Sequence, residues 1–407
     1  MSEATEKPSI VGVAMRDLGR LRAVGVIVAR HGFGPLLMKT PLGKRLFDRV
    51  PEGDAALRGI SAPVRFATLL AALGPTYIKL GQILSMRKDL LPSDWIKALE
   101  TLQDDAPRLP FEAIRSQVES SLAGPLEELY ASFEAQPLAT ASIAQTHRAR
   151  TREGDEVVVK VQRPGIEATM RSDLDLIHLA AQILEASIDE MQIFGAVSII
   201  EEFEKGLLRE LDFNQELSNL LEFQRNLEPD RSVTVPRPYP ELSTRTVLTM
   251  QFFAGRPIRK LEPNSERAQA VVNEIVHAAL KQVFVDGLFH GDPHAGNLLY
   301  DENGTVCMID LGMVGRLSQE QRDDIVTLTI AAIANDATTI ARVLLKMGTP
   351  TQRVNLNELK ADIERIRSQH LAVANFGEYD SAGFIEEFGK AAGRYRIKLA
   401  KDMAILT

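Results

Sequence analysis

Residues 289 to 315 read FHGDPHAGNLLYDENGTVCMIDLGMVG, a window holding two histidines, four acidic residues, two asparagines and five glycines between apolar runs. Apolar runs of that length read as buried strands or short helices, which would hold the polar cluster at the mouth of a packed scaffold, where chemistry usually sits. Three chemistries compete for it. His290, Asp292 and His294 have the donor types of a zinc or iron site. The remaining histidines are scattered, however, and no second His or Cys cluster completes such a site. A polar turn with internally satisfied side chains is the bland reading. The third reading is phosphoryl transfer. Asp292 and Asn297 form Asp-x-x-x-x-Asn, and Asp310 closes an apolar strand as Asp-Leu-Gly. Asp292 then orients or deprotonates the nucleophile, while Asn297 and Asp310 hold Mg2+ against the phosphates of ATP.

That third chemistry makes demands elsewhere in the chain. A cation must neutralise the α and β phosphates, and VVVK ends a β-branched strand on Lys160. The lysine needs a helical carboxylate to fix it, and RELDFNQELSNLLEF offers Glu210, Asp212 and Glu216. Strand lysine, helix glutamate, Asp-x-x-x-x-Asn and Asp-Leu-Gly in that order form a protein-kinase-like pattern. Two features depart from an ordinary protein kinase. The stretch PLATASIAQTHRA, where a glycine-rich phosphate loop belongs, has no glycine. The Cβ atoms of Ala139, Thr140, Ala141 and Ser142 restrict how closely the backbone wraps a triphosphate. No Ala-Pro-Glu element follows Asp-Leu-Gly, and the sequence soon turns helical.

The elements that must position these groups are legible from period and punctuation. At 407 residues, 45% hydrophobic and 25% charged, the chain has ordinary globular composition and is long enough for two or three domains or one bilobal one. A net charge of -8 argues against a general nucleic-acid binder, and the single Cys307 excludes an internal disulfide or a cysteine-rich zinc site. Residues 1 to 50 are locally basic, nine Lys or Arg against four Asp or Glu. Val11, Ala14, Leu18, Leu21, Val24 and Val28 recur there at helical spacing, with Arg16 and Arg20 on another face. Neither a transmembrane run nor a convincing signal peptide is present in the chain. Helices over 51 to 110 break at Gly74-Pro75, Leu91-Pro92 and Ala106-Pro107. Strands dominate 126 to 161, helices 165 to 228, strands recur near 233 to 235 and 244 to 252, and the remainder is mostly helical around the opening window.

With these residues in place, the chain resembles the UbiB family, the atypical kinase-like proteins of coenzyme Q biosynthesis, from about residue 60 to at least 320. The most specific mark is LGPTYIKLGQILSMRKDLLP, which looks like the family's Lys-x-Gly-Gln helix at Lys79, Gly81 and Gln82. Ala139, Ala141 and Ser142 match its alanine-rich loop, with Thr140 where many members carry alanine. Its Glu-x-Asp pair falls on Glu210 and Asp212, and its lysine-pairing glutamate on Glu216. The resemblance implies that Lys79 pairs with the Glu-x-Asp carboxylates and plugs the entry for a protein substrate. It also implies that the hinge strand VLTMQFFAG sets Met250 and Phe252 beside the adenine, with Gln251 where relatives often have Glu.

The fold expected is α+β: a bilobal protein-kinase-like fold with an N-terminal helical extension carrying Lys-x-Gly-Gln. Its parts are a basic amphipathic segment over 1–50, the helical extension over 51–125, an N-lobe with a helical insert over 126–251 and a C-lobe over 252–407. The function expected is binding of ATP/ADP with Mg2+ and ATP hydrolysis or phosphate transfer in support of ubiquinone biosynthesis. The partners expected are anionic membrane lipid, a quinone precursor and other quinone-biosynthesis proteins, with no nucleic acid. The location expected is cytoplasmic and peripheral on the inner membrane, with any membrane anchor lying beyond Thr407. A small-molecule kinase of the aminoglycoside or choline type and a nucleotide-gated scaffold with little turnover are the competing readings.

Overall fold

The computed structural model describes residues 18–38, 59–86, 91–102, 106–187, 195–227, 232–350, 352–370 and 381–399. They fall into two compact units, Met1–Asn214 with Tyr239–Met250 and Gln215–Pro238 with Gln251–Thr407. Val11, Ala14 and Arg16 of the expected basic amphipathic helix lie outside the described residues.

In the first unit, α1 (Leu18–Val28) packs on α2 (Ala62–Leu73), and α3 (Pro75–Met86) packs on α2 and on α4 (Ser93–Leu99). Gly74, at φ 110°, ends α2 with its N–H on the Leu70 carbonyl. Pro75 then opens α3, where its missing N–H costs nothing. Gly81 sits where α3 meets its neighbours: a Cβ there would come within 2.3 Å of Leu102 Cδ1 and 2.8 Å of Leu70 Cδ1. After α5 (Phe111–Leu122) come β1 (Tyr130–Thr140), β2 (Ala144–Thr151) and β3 (Glu156–Gln162). With β5 (Val247–Gln251) they form a four-stranded sheet in the order β1-β2-β3-β5. Alternation along β3 buries Val157, Val159 and Val161 at 0% exposure against Ile114 and Val118 of α5, which leaves Lys160 on the opposite face. The helical insert is α6 (Ile166–Ser187), α7 (Ala196–Glu210) and α8 (Phe213–Leu227), the last of which enters the second unit.

In the second unit, β4 (Val233–Thr234), β9 (Val306–Met308), β8 (Leu298–Tyr300) and β6 (Arg256–Pro257) form a sheet in that spatial order. Strands β7 (Leu288–His290) and β10 (Val314–Arg316) pair antiparallel, and Gly315 lets them close because a Cβ would lie 2.0 Å from the Phe289 ring. α9 (Glu266–Lys281) is capped by Ser265, and α10 (Gln319–Ile333) opens with a Ser318–Gln321 capping box. Ile340, Leu344, Leu359, Ile363 and Ala391 centre a core shared by α11 (Ala337–Met347), α12 (Leu356–His370) and α13 (Ser381–Arg394). A ladder of Gly348–Pro350 on Ile397–Leu399 interrupts this helical region. Three-residue strands are too short to show a period of two, so the sequence reads as helix there. No helix among the described residues is long and apolar enough to cross a membrane.

Candidate functional site

The opening window forms one hydrogen-bonded assembly in the second unit. Register across β7 and β10 sets Val314 opposite His290, and the Gly291 N–H reaches the Met313 carbonyl at 2.9 Å. Asn297 is tied to both sides of this assembly. Its side chain donates to the Asp292 carbonyl at 3.3 Å, and its own carbonyl accepts the Ile309 N–H at 3.0 Å, one residue before Asp310. Asp292 and the Asp310 strand are therefore tied together through Asn297, although 18 positions separate the two aspartates. The Asp310 carboxylate is oriented by the Gly312 N–H on Oδ1 at 3.0 Å. Asp292 is half-exposed, as a group meeting a substrate must be.

The histidines serve this loop from within. Buried His290 accepts the Asp292 N–H on Nδ1 at 3.0 Å, and burial holds its pKa below the usual value despite Asp310 and Asp292. Accepting on Nδ1, the ring carries its proton on Nε2. His294 accepts the Gly296 N–H on Nδ1 at 3.0 Å and faces Asp292 at 3.8 Å. Among the described residues no group of three or more His, Cys, Asp or Glu side chains is placed to hold a metal ion. Of this assembly, Asp310 and Asn297 could offer a cation one carboxylate and one carboxamide. That hard-oxygen pair suits Mg2+, which takes few protein ligands and completes its shell from phosphate and water. Cys307 is fully buried in β9, where burial pushes its thiol pKa up and leaves it inert.

Glu216 lies on the buried face of α8 in this same unit, at 4% exposure. Asn219, one turn later, joins α8 to the Asp-Leu-Gly turn through the Leu311 carbonyl at 2.8 Å. Sequence reading passed over Asn219, because nothing local marks a partner 92 residues away.

The first unit carries the strand lysine and the glycine-free loop. Lys160 Nζ stands 5.3 Å from the centre of the Phe213 ring, a cation–π contact. Residues 141–143 turn β1 into β2, closed by the Ala141 N–H on the Ala144 carbonyl at 2.9 Å. Arg163, which the motif reading also missed, braces the turn. Its Nε donates to the Ala141 carbonyl at 2.9 Å, and its backbone N–H donates to the Ile143 carbonyl at 2.9 Å. Ala139 is exposed, Thr140 and Ala141 are half-buried, and the buried Ser142 hydroxyl has no hydrogen-bond partner among the described residues. Met250 is buried near the end of β5, and the Gln251 N–H reaches the Arg237 carbonyl at 2.8 Å.

The Lys-x-Gly-Gln helix is anchored as a unit. Lys79 Nζ meets Glu210 Oε1 at 2.5 Å with both side chains partly covered, and Gln82 donates to the Leu102 carbonyl at 3.3 Å. Asp212 accepts the Asn214 N–H at 3.1 Å and so opens α8. Behind α3 lies a second ion pair. Arg20 forks onto Asp173 through Nε at 2.7 Å and Nη2 at 3.0 Å, and the Thr76 hydroxyl adds 2.8 Å to the same carboxylate. Arg20, on another face of α1 than the apolar stripe, turns its planar fork onto a fully buried carboxylate. Leu21 and Ala29 of the chain's first described helical stretch are buried, while Arg22 and Arg30 are exposed.

Residues 101–344 match the family model described as the ABC1 atypical kinase-like domain. The chain is 32% identical over 407 residues to a protein of Marinobacter nauticus named Probable protein kinase UbiB, covering 96% of this chain and 73% of that one. An uncharacterised protein of Synechocystis sp. is 33% identical over 354 residues, covering 84% of this chain and 86% of that one. Among solved structures, the Mycobacterium tuberculosis protein Rv3197 in complex with erythromycin aligns with a TM-score of 0.51 at 25% identity, over 75% of this chain and 78% of that one.

Proposed function

The chain belongs to the ABC1/UbiB family of atypical kinase-like proteins, an enzyme of the kinase or ATPase kind, and from that premise we propose that it binds Mg-ATP and hydrolyses it in support of ubiquinone biosynthesis at a membrane surface. The observation that carries the reading is the coupling of Asp292 and the Asp310 strand through Asn297, by its side-chain amide on the Asp292 carbonyl and its own carbonyl on the Ile309 N–H. In this reading Asn297 and Asp310 are the protein ligands of Mg2+, and bound Mg2+ supplies charge neutralisation on the phosphates. Asp292 positions the attacking oxygen. Lys160 neutralises phosphate charge with Glu216 as its carboxylate, and the loop from Ala139 to Ser142 lies along the phosphates. The Ser142 hydroxyl, without a hydrogen-bond partner among the described residues, suits a phosphate oxygen acceptor. Met250 and Phe252 flank the adenine.

Lys79, Gly81, Gln82, Glu210 and Asp212 act as a fixed cover in this proposal. The Lys79–Glu210 ion pair holds the cover down, which disfavours a protein substrate and favours water or a small lipid-derived acceptor. Arg22 and Arg30 are the cations of the first helical stretch left for lipid phosphates, each worth about 1 kcal/mol near an anionic surface. An ATPase assay on the purified protein with a thermal-shift titration of Mg-ATP tests the reading. Asp310→Asn should lose the Mg2+-dependent stabilisation that the parent shows. Equal stabilisation of parent and variant would refute the metal assignment.

A further inference from the structure

The buried face of α8 carries a polar residue whose partners lie on the Asp310 segment. Asn219 is 8% exposed, and a buried amide must satisfy both its halves. Its Nδ2 donates to the Leu311 carbonyl at 2.8 Å, and its Oδ1 accepts from Arg316 Nη2 at 3.3 Å. A carbonyl only accepts and a guanidinium only donates, so the orientation of the amide is forced. Arg316 then closes on Glu222, the next turn of α8, with Nη1 to Oε1 at 2.9 Å and Nη2 to Oε2 at 2.8 Å. Such a bidentate pair fixes angle as well as distance.

These contacts grip both ends of one segment. Leu311 follows Asp310 directly, and Arg316 stands in β10 opposite Leu288 of β7, the strand that leads into Asp292. The Asp310 carboxylate is itself oriented by the turn's Gly312 N–H. Rotation of the 310–312 turn is therefore the motion that would move the carboxylate, and the peptide that Asn219 holds is the one inside that turn. Aspartate cannot donate, leucine can do neither, and glutamine is one carbon too long. Asparagine is the short side chain that donates and accepts in one plane.

We propose that Asn219 is the positioning residue that sets Asp310 for Mg2+, with Arg316 and Glu222 locking its amide, so that α8 and the Asp-Leu-Gly turn move as one body. This rests on the Mg-nucleotide reading given above. A group that orients a metal ligand is felt in metal affinity before it is felt in nucleotide affinity, and its loss typically costs on the order of tenfold to a hundredfold.

The test is a calorimetric Mg2+ titration at fixed ADP, beside ADP binding without metal, on the full chain. Asn219→Asp keeps the acceptor for Arg316, replaces the donation to Leu311 by repulsion between two oxygens, and adds a carboxylate charge. It should raise the Mg2+ requirement about tenfold or more while metal-free ADP affinity stays within about twofold. Arg316→Lys leaves that donation but loses the fork, and should shift the Mg2+ requirement the same way by a smaller factor; it carries the test if Asn219→Asp does not fold. A parental Mg2+ requirement in the folded variant, or equal loss of metal-free and Mg-bound affinity, overturns the inference. ADP binding by the parent that is indifferent to Mg2+ overturns the functional reading and this inference with it.

Discussion

Replacing Arg20 with leucine should destabilise the first unit by about 3 kcal/mol, because it strands a charge rather than because it removes a contact. Asp173 is 0% exposed and takes three donated hydrogen bonds, two from Arg20 and one from Thr76. Removing one partner of a buried ion pair costs about 3–5 kcal/mol. The Arg20 side chain is 30% exposed, so water reaches part of the vacated position and the lower end applies. The double variant Arg20→Leu, Asp173→Asn removes the orphaned charge as well, and should recover all but about 1 kcal/mol of the loss. The chain's single tryptophan, Trp95, lies in this unit with its ring 5.5 Å from Phe66, so its fluorescence in a urea titration reports the relevant unfolding. A four-member cycle isolates the coupling. Arg20→Leu within about 0.5 kcal/mol of the parent, or a double variant no more stable than the single, would refute the account.

Asp292→Asn should retain Mg-nucleotide binding and lose turnover by roughly a hundredfold to ten-thousandfold, since its proposed role is to position the attacking oxygen; loss of binding in calorimetry would assign it to the metal instead. Ala141→Gly should change ATP-versus-ADP preference and permit autophosphorylation, because the turn braced by Arg163 would gain φ > 0 freedom; unchanged affinity with no phosphate incorporated would make the loop merely structural. His147 is fully buried, donating from Nδ1 to the Glu134 carbonyl at 2.8 Å and accepting from the Gln145 amide on Nε2 at 3.0 Å, and burial depresses its pKa. The unfolded chain therefore takes up the proton first, near pH about 6.5, so stability is full above that value and falls as pH drops toward the folded pKa. His147→Gln should flatten that slope in Trp95-detected unfolding between pH 7 and 5, whereas parallel slopes would remove His147 from the account. Sedimentation with liposomes should require anionic lipid, weaken with salt and drop when residues 1–50 are removed; indifference to lipid charge would assign membrane contact to another surface.

What the sequence alone determined about this protein is its family and the short stretches that carry its candidate groups. Asp-x-x-x-x-Asn and Asp-Leu-Gly sit in one window because a loop that presents polar groups beside strands is contiguous in the chain. Lys160 was legible because it ends the β-branched run VVVK, and Gly74-Pro75 because each residue has a local backbone reason to end or open a helix. The tie from Lys79 to Glu210, 131 positions apart, entered only through resemblance to a family whose motif already encodes it. Tertiary structure decided the rest. Asn219 on Leu311, Arg163 on the Ala141 turn and Arg20 on Asp173 are partners 92, 22 and 153 residues apart. An Asn on an amphipathic helix and an Arg in a basic segment look solvated from sequence alone. Only burial, which withdraws water and obliges each polar group to find a protein partner, gives them their roles.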